Sequence, residues 1–499
     1  MIAFRNFFNR SRIVFNSHIR GYTQKIPRCS NSFPCNTAEE NIESCFLSNG
    51  MQLICETRDS LTTTVGFMVP AGSMVESCED RGGSLFMEHL LFKRTMNRSQ
   101  EDIEKELINI GGKLFAFALR DTFLFYGIVW RKNTREMIEI LADIILNGLI
   151  CEEDVAGVKP QIFREVDKTE SNPEKVIMEY FPMIAYQDTK LAQGVHPETD
   201  KIRGMCSSEL NCFKEKHFKI CCMTMISIGP ISLNELQNLI CQYFPDVGTD
   251  YVSIAGASKA ESMPQKCYRY TGILKQIFLI KLVNHFIIAG ADLRIRDDDH
   301  ELGYVGIGVE GPSFTDLYDR FTMEIAKRII GSWDKSFAGA NHNAPYIAHL
   351  AFNTDICESY KSFILDWEDA SIWGCYFVCT KMKLEYMSNL IQTEWRKLSI
   401  DVIEKVVRRA TNQCKFSELM KFNDPVARFH DLVNYIHRHG RYVPMEERLR
   451  IYNSISADTV REIARDYLYD QCPTVIALGR IENCPDYNVV RRRMYSLFF

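Results

Sequence analysis

Two stretches in the first half of this chain return, in the same order, in its second half. Val65-Gly-Phe-Met-Val-Pro-Ala-Gly-Ser73 alternates as a half-buried strand and ends in a turn, and Val305-Gly-Ile-Gly-Val-Glu-Gly-Pro-Ser313 repeats that design 240 residues on. Thr224-Met-Ile-Ser-Ile-Gly229 reads as a strand closed by glycine, and Thr474-Val-Ile-Ala-Leu-Gly479 repeats it at an offset of 250. Ahead of each closing strand lies a helical pattern with a serine near its start, Ser207/Ser208 to Phe218 and Ser456 to Tyr469. A duplication of roughly 200 residues accounts for all four placements. Each copy reads as strand, helices, strands, helices and a final strand, which is an α+β layer with helices packed on a mainly antiparallel sheet.

The expected division is a first domain over 42–250, a linker over 251–290 and a second domain over 291–499. Gly248 to Gln265, with Gly256, Ser258, Ser262 and Pro264, carries the linker composition. The apolar run 273–290 belongs to neither repeat. It contains Lys275, Lys281, Asn284 and His285 and is short of the roughly 20 apolar residues a membrane helix needs. The 499 residues suffice for two substantial cores.

The first 38 residues differ from the rest: Arg5, Arg10, Arg12, Arg20, Lys25 and Arg28 precede any acid, and Phe4, Phe7, Phe8 and Phe15 can share a helical face. That composition is a mitochondrial presequence, with Arg20-Gly-Tyr-Thr23 as the cleavage neighbourhood. A net charge of −5 gives no overall basic field for nucleic acid. Eighteen cysteines without a CxxC pair read as reduced thiols rather than a disulfide framework. Cys221-Cys222 reads as the start of a core strand, and His342, His437 and His439 as surface residues rather than ligands.

Chemistry concentrates in Gly82-Gly-Ser-Leu-Phe-Met-Glu-His-Leu-Leu-Phe-Lys-Arg-Thr95, where a glycine pair and a serine suited to an N-cap lead into a helix. The stretch approaches the inverted zinc motif H-x-x-E-H. In that motif two histidines four apart clasp the metal from one helix face and the glutamate acts as general base. Glu88 and His89 are in place, but the first position is Leu85, which has no lone pair to give.

This helix resembles that of the mitochondrial processing peptidase β subunit and of its relative, the core 1 subunit of ubiquinol–cytochrome c reductase. Ala185–Met205, Ile295–Gly311, Ile330–Asn341 and Tyr469–Met494 match the same pair in family order. The resemblance implies two homologous pitrilysin-type domains forming half of a heterodimer with an α/core 2-like partner. It also implies zinc held by two histidines and a distal glutamate, here His89 and Glu165 without the first histidine.

Further departures touch substrate handling. Where the family presents an acidic pair to a presequence arginine, this chain has Lys175 and Glu179. Phe115 replaces an edge-strand amide, and Val158 replaces an acid ahead of the distal glutamate. The run 273–290 has no counterpart in the family and reads as an insertion or a retained intron. The expectation is a degenerate, non-catalytic subunit of the respiratory complex or of a processing-peptidase-like heterodimer, with zinc absent or weak. It would lie in the mitochondrial matrix or on the matrix face of the inner membrane. The alternative is an active zinc endopeptidase that removes presequences, with Glu88 as its base.

Overall fold

Gly306 and Gly308 explain how the two repeats hold each other. They sit in a central strand of the second sheet, and a methyl group on Gly306 would lie 2.6 Å from the ring of Phe181, a residue of the first repeat. Glycine is needed there because a helix from one half lies directly on the sheet of the other.

The structure, a computed structural model, describes residues 41–244, 290–336 and 345–495. All of these belong to one compact unit, Glu40–Phe499. The amino-terminal basic segment, the linker, the run 273–289 and His342 lie outside the described residues.

The first sheet is built from β1 (Ile42–Phe46), β2 (Gln52–Thr57), β3 (Thr62–Val69), β4 (Lys113–Ala118), β5 (Phe123–Trp130) and β6 (Thr224–Gly229), in the order β1-β2-β6-β3-β5-β4. The second contains β7 (Ala291–Arg296), β8 (Gly303–Glu310), β9 (Ser332–Asp334), β10 (Ser359–Asp366), β11 (Ser371–Cys379) and β12 (Thr474–Gly479), in the order β7-β12-β8-β11-β10-β9. Five strands correspond one to one: β2 and β6 are parallel as are β7 and β12, and the other shared pairings are antiparallel. The duplicated sequence stretches are β3 with β8 and β6 with β12, at equivalent places in the two sheets.

One face of each sheet packs against helices of its own half. Val65, Phe67, Phe123 and Phe125 meet Met137, Ile138 and Leu141 in the first half, and Ile307, Trp373 and Phe377 meet Phe321, Met387 and Trp395 in the second. The opposite faces are exchanged. Helix Pro173–Ala185 lays Ile177, Phe181 and Ala185 on Ile372, Tyr376 and Ile476 of the second sheet. Helix Pro425–Asn434 lays Phe429, Leu432 and Val433 on Ile54, Leu124, Tyr126 and Ile226 of the first.

Buried charge fixes the second contact: Arg428, 1% exposed, donates from Nε to Glu56 of β2 at 2.7 Å. Nearby, Arg438 Nε binds the buried Asp121 carboxylate at 2.9 Å, with His437 at 3.8 Å. The surface reading of His437 is thereby corrected, since an acid of the other repeat draws it inward. Cys221-Cys222 does not begin a core strand: the pair lies in a short turn ahead of β6, with Cys222 exposed. Every described cysteine is free. No described helix is long and apolar enough to cross a membrane.

Candidate functional site

The zinc-motif sequence folds as the helix Gly83–Leu90. Its start is not capped by Ser84, which lies within the helix. The Glu76 carboxylate, 3% exposed, accepts the Gly82 amide at 2.8 Å and the Ser84 amide at 2.9 Å. Burial pushes the Glu76 carboxyl above its usual range, opposed by those amides and by Arg81. Gly82 takes φ of +93°, and a side chain there would strike Pro197 at 2.6 Å, so glycine is required on two counts.

Three functional side chains converge along this helix and the longer helix Glu152–Glu170. The His89 Nε2 lies 3.0 Å from Glu165 Oε2, with both side chains largely shielded. Glu88 Oε2 accepts the amide of Ala118, the last residue of edge strand β4, at 2.8 Å. The hydrogen bond from His89 holds the Glu165 carboxyl below its usual range against burial, with His196 and Lys175 adding to it. Burial does the reverse to Glu88 and pushes it up to about 6, with the Glu165 charge adding and the Ala118 amide and His89 opposing.

Leu85 is 1% exposed and belongs to an apolar cluster with Phe86, Leu90, Val155, Val158 and Ile162. The two positions where the resemblance expects a histidine and an acid, 85 and 158, therefore share one apolar cluster. His89 and Glu165 therefore stand as two donors, with no third side chain beside them on the helix face at position 85. Among the described residues no three His, Cys, Asp or Glu side chains gather as a metal-holding group. The residues present do not fit a zinc site with three protein ligands.

The substrate-side positions flank this triad, with Lys175 close enough to act on Glu165. Lys175 is exposed in the first turn of Pro173–Ala185, beside the Asn172 cap, and Glu174 next to it pairs with Lys361 at 3.0 Å. Glu179 is engaged by the protein itself: Arg120 meets its carboxylate at 2.9 Å and the Val195 amide donates to it at 2.9 Å. Arg120 also binds the carbonyls of Leu191 and Gln193, which makes it the organiser of that loop. The Phe115 ring of β4 lies 5.3 Å from that of Tyr126 at a tilt of 31°, and Phe117 lies 5.9 Å from His430 of the exchanged helix. Reading the sequence missed Arg120 and the Ala118 amide because their partnerships join segments far apart in the chain. Glu76 lies only six and eight residues from the amides it caps, but an acid ahead of the helix across a turn has no capping-motif spacing.

Residues 53–197 match the family described as Insulinase (Peptidase family M16), and residues 207–414 match Peptidase M16 inactive domain. The chain is 30% identical over 448 residues to the mitochondrial-processing peptidase subunit beta of Mus musculus, covering 90% of this chain and 86% of that protein. It is 28% identical over 453 residues to the mitochondrial cytochrome b-c1 complex subunit 1 of Mus musculus, covering 91% and 89%. A chain of the Inz-5-bound complex III2 from Candida albicans matches in fold with a TM-score of 0.74 at 20% identity, covering 91% of this chain and 99% of that one.

Proposed function

The chain belongs to the insulinase family, peptidase family M16, and on that premise we propose that it is a non-catalytic mitochondrial subunit of the processing-peptidase β or cytochrome b-c1 subunit 1 kind. The observation that carries this reading is Leu85: a buried hydrocarbon occupies the first ligand position while the two remaining ligand side chains bind each other. With the protein donors reduced from three to one carboxylate and one imidazole, zinc binding falls away, and Glu88 has no metal-bound water to activate. Lys175 adds a cation where an incoming presequence arginine would need an anion, and Glu179 is already neutralised by Arg120.

The mature protein, without its basic amino-terminal segment, pairs in this reading with an α/core 2-like subunit. It works as a scaffold in the matrix or on the matrix face of the inner membrane. The retained Glu88, with its carboxyl near 6, favours the alternative of an active endopeptidase. That alternative lacks a third donor on the helix face at position 85.

The test is purification from mitochondria with identification of the associated subunits, and a presequence-cleavage assay on the isolated assembly. Recovery with an α/core 2-like subunit or with the cytochrome b-c1 complex, without cleavage by this chain's site, is expected. Recovery as a free chain, or cleavage lost on Glu88→Gln, would contradict the proposal.

A further inference from the structure

The turn that delivers the chain into β6 holds two thiols side by side. Residues Ile220–Cys222 form one turn of 3-10 helix, closed by the Cys222 amide on the Lys219 carbonyl at 3.0 Å and the Met223 amide on the Ile220 carbonyl at 3.1 Å. The turn is pinned on two sides. The carbonyl of the buried Met223 accepts the amide of Gln52 in β2 at 3.2 Å. Gly50, between β1 and β2, abuts Cys221, and a methyl group on residue 50 would lie 3.0 Å from the Cys221 Cβ. The Sγ atoms of Cys221 and Cys222 stand 3.8 Å apart, with Cys222 exposed and Cys221 half-buried. Neither the zinc-motif helix nor the exchange of helices uses them.

Two chemistries are open to such a pair, and distance separates them. Disulfides usually span Cα atoms about 4.4–6.8 Å apart, whereas neighbouring Cα atoms across a trans peptide lie about 3.8 Å apart. A bridge between adjacent cysteines is therefore strained and easily reduced. Two thiolates on one tetrahedral centre, with bonds of about 2.3 Å as zinc makes to sulfur, lie about 3.8 Å apart. The sulfurs of this turn already have that separation.

We infer that Cys221 and Cys222 form a two-thiol chelate for a soft, thiophilic centre, a metal ion or a metalloid, whose remaining positions face solvent. Thiolates select soft centres over the hard cations that carboxylates and carbonyls hold. Desolvation and the neighbouring Cys221 push the Cys222 thiol up to about 11, opposed by Lys219. The pair therefore rests as thiols and releases its protons when a thiophilic centre replaces them. With a divalent ion both protons pass to solvent as two metal–sulfur bonds form. With an arsenic(III) oxide the arsenic–oxygen bond breaks, two arsenic–sulfur bonds form, and the oxygen leaves as water with the two thiol protons. Neither exchange changes an oxidation state.

The test uses the full chain, reduced and then freed of reductant, with phenylarsine oxide in one arm and cadmium ion alone in the other. The first equivalent of arsenical should sit on Cys221 and Cys222, located by peptide mass spectrometry, and should shield both from iodoacetamide until a competing dithiol removes it. Cadmium should give the same shielding where the site takes metal ions, and shielding by the arsenical alone would confine it to metalloids. Cys221→Ser and Cys222→Ser should each weaken binding on the order of 100-fold, because either change turns a chelate into a single thiol. The shielding is read in the unaltered chain, so it decides the matter even where a serine variant does not fold. Three results overturn the inference. The first is an opening equivalent found on Cys78, Cys212 or Cys241, the other exposed thiols among the described residues. The second is equal arsenic binding by either folded serine variant, and the third is a Cys221–Cys222 disulfide in protein alkylated at lysis.

Discussion

Leu85→His is the perturbation that separates a lost ligand from a redesigned core. The side chain is 1% exposed and shares its cluster with Val158 and Ile162. Removing its burial costs about 1.5–3 kcal/mol, and an imidazole placed there without an acceptor adds about 1–3 kcal/mol. The metal-free variant should therefore lose on the order of 3–5 kcal/mol in urea unfolding. The new histidine lies four residues from His89, within about 40° on the same helix face, so zinc gains a donor pair beside Glu165. At a thousandfold excess over its dissociation constant, zinc would return about 4 kcal/mol, whereas the parent should gain nothing. Adding Val158→Glu supplies an acceptor for the new imidazole and should tighten zinc roughly 10–100-fold. Presequence cleavage with an α-like partner should stay poor in both variants, because Lys175 and Phe115 remain. A Leu85→His chain as stable as the parent without zinc would refute the packing argument. Full cleavage from the single change would refute the reading of Lys175 and Phe115.

Burial lifts the Glu88 carboxyl from 4.5 to about 6, so the fold favours its protonated form and the stability this gives below about pH 4.5 is lost as pH rises through about 6. Glu88→Gln should thus stabilise the protein at pH 8 by on the order of 1–2 kcal/mol and leave it unchanged near pH 4, measured by urea unfolding at both. Arg428→Met strands the buried Glu56 carboxylate and should lose roughly 3–5 kcal/mol by the same assay, most of it recovered when Glu56→Gln is added. Phe181→Ala should lose about 3–5 kcal/mol. Combined with Gly306→Ala, whose methyl group the ring would otherwise block, the total should fall well short of the sum of the two single losses.

The duplicated strands were legible because β3 and β8 share one sequence design and β6 and β12 each close on glycine at equivalent offsets. The half-buried alternation expected of them was not met, since the exchanged helices bury both faces of β3 and β8. The exchange of helices between halves was not legible. The apolar face of Ile177 and Phe181 announces a buried helix, but nothing local says that its target lies more than a hundred residues away. The motif residues were legible as types at a helical spacing, and Glu165 only through resemblance. What became of them was not, since the approach of His89 to Glu165 and the shared apolar cluster of Leu85 and Val158 both arise from packing one helix on another. Glu179 shows the same limit. Its acidity was visible, but its commitment to Arg120 joins residues 59 apart in the chain.

The zinc content of the assembly purified from mitochondria, followed by titration of zinc into it, bears most directly on the account. This chain's site should carry far less than one equivalent and take up zinc only weakly, with no change when His89 becomes alanine. One tightly held zinc per chain, lost with His89→Ala or Glu165→Gln and needed for presequence hydrolysis, would show that the site is a working peptidase centre.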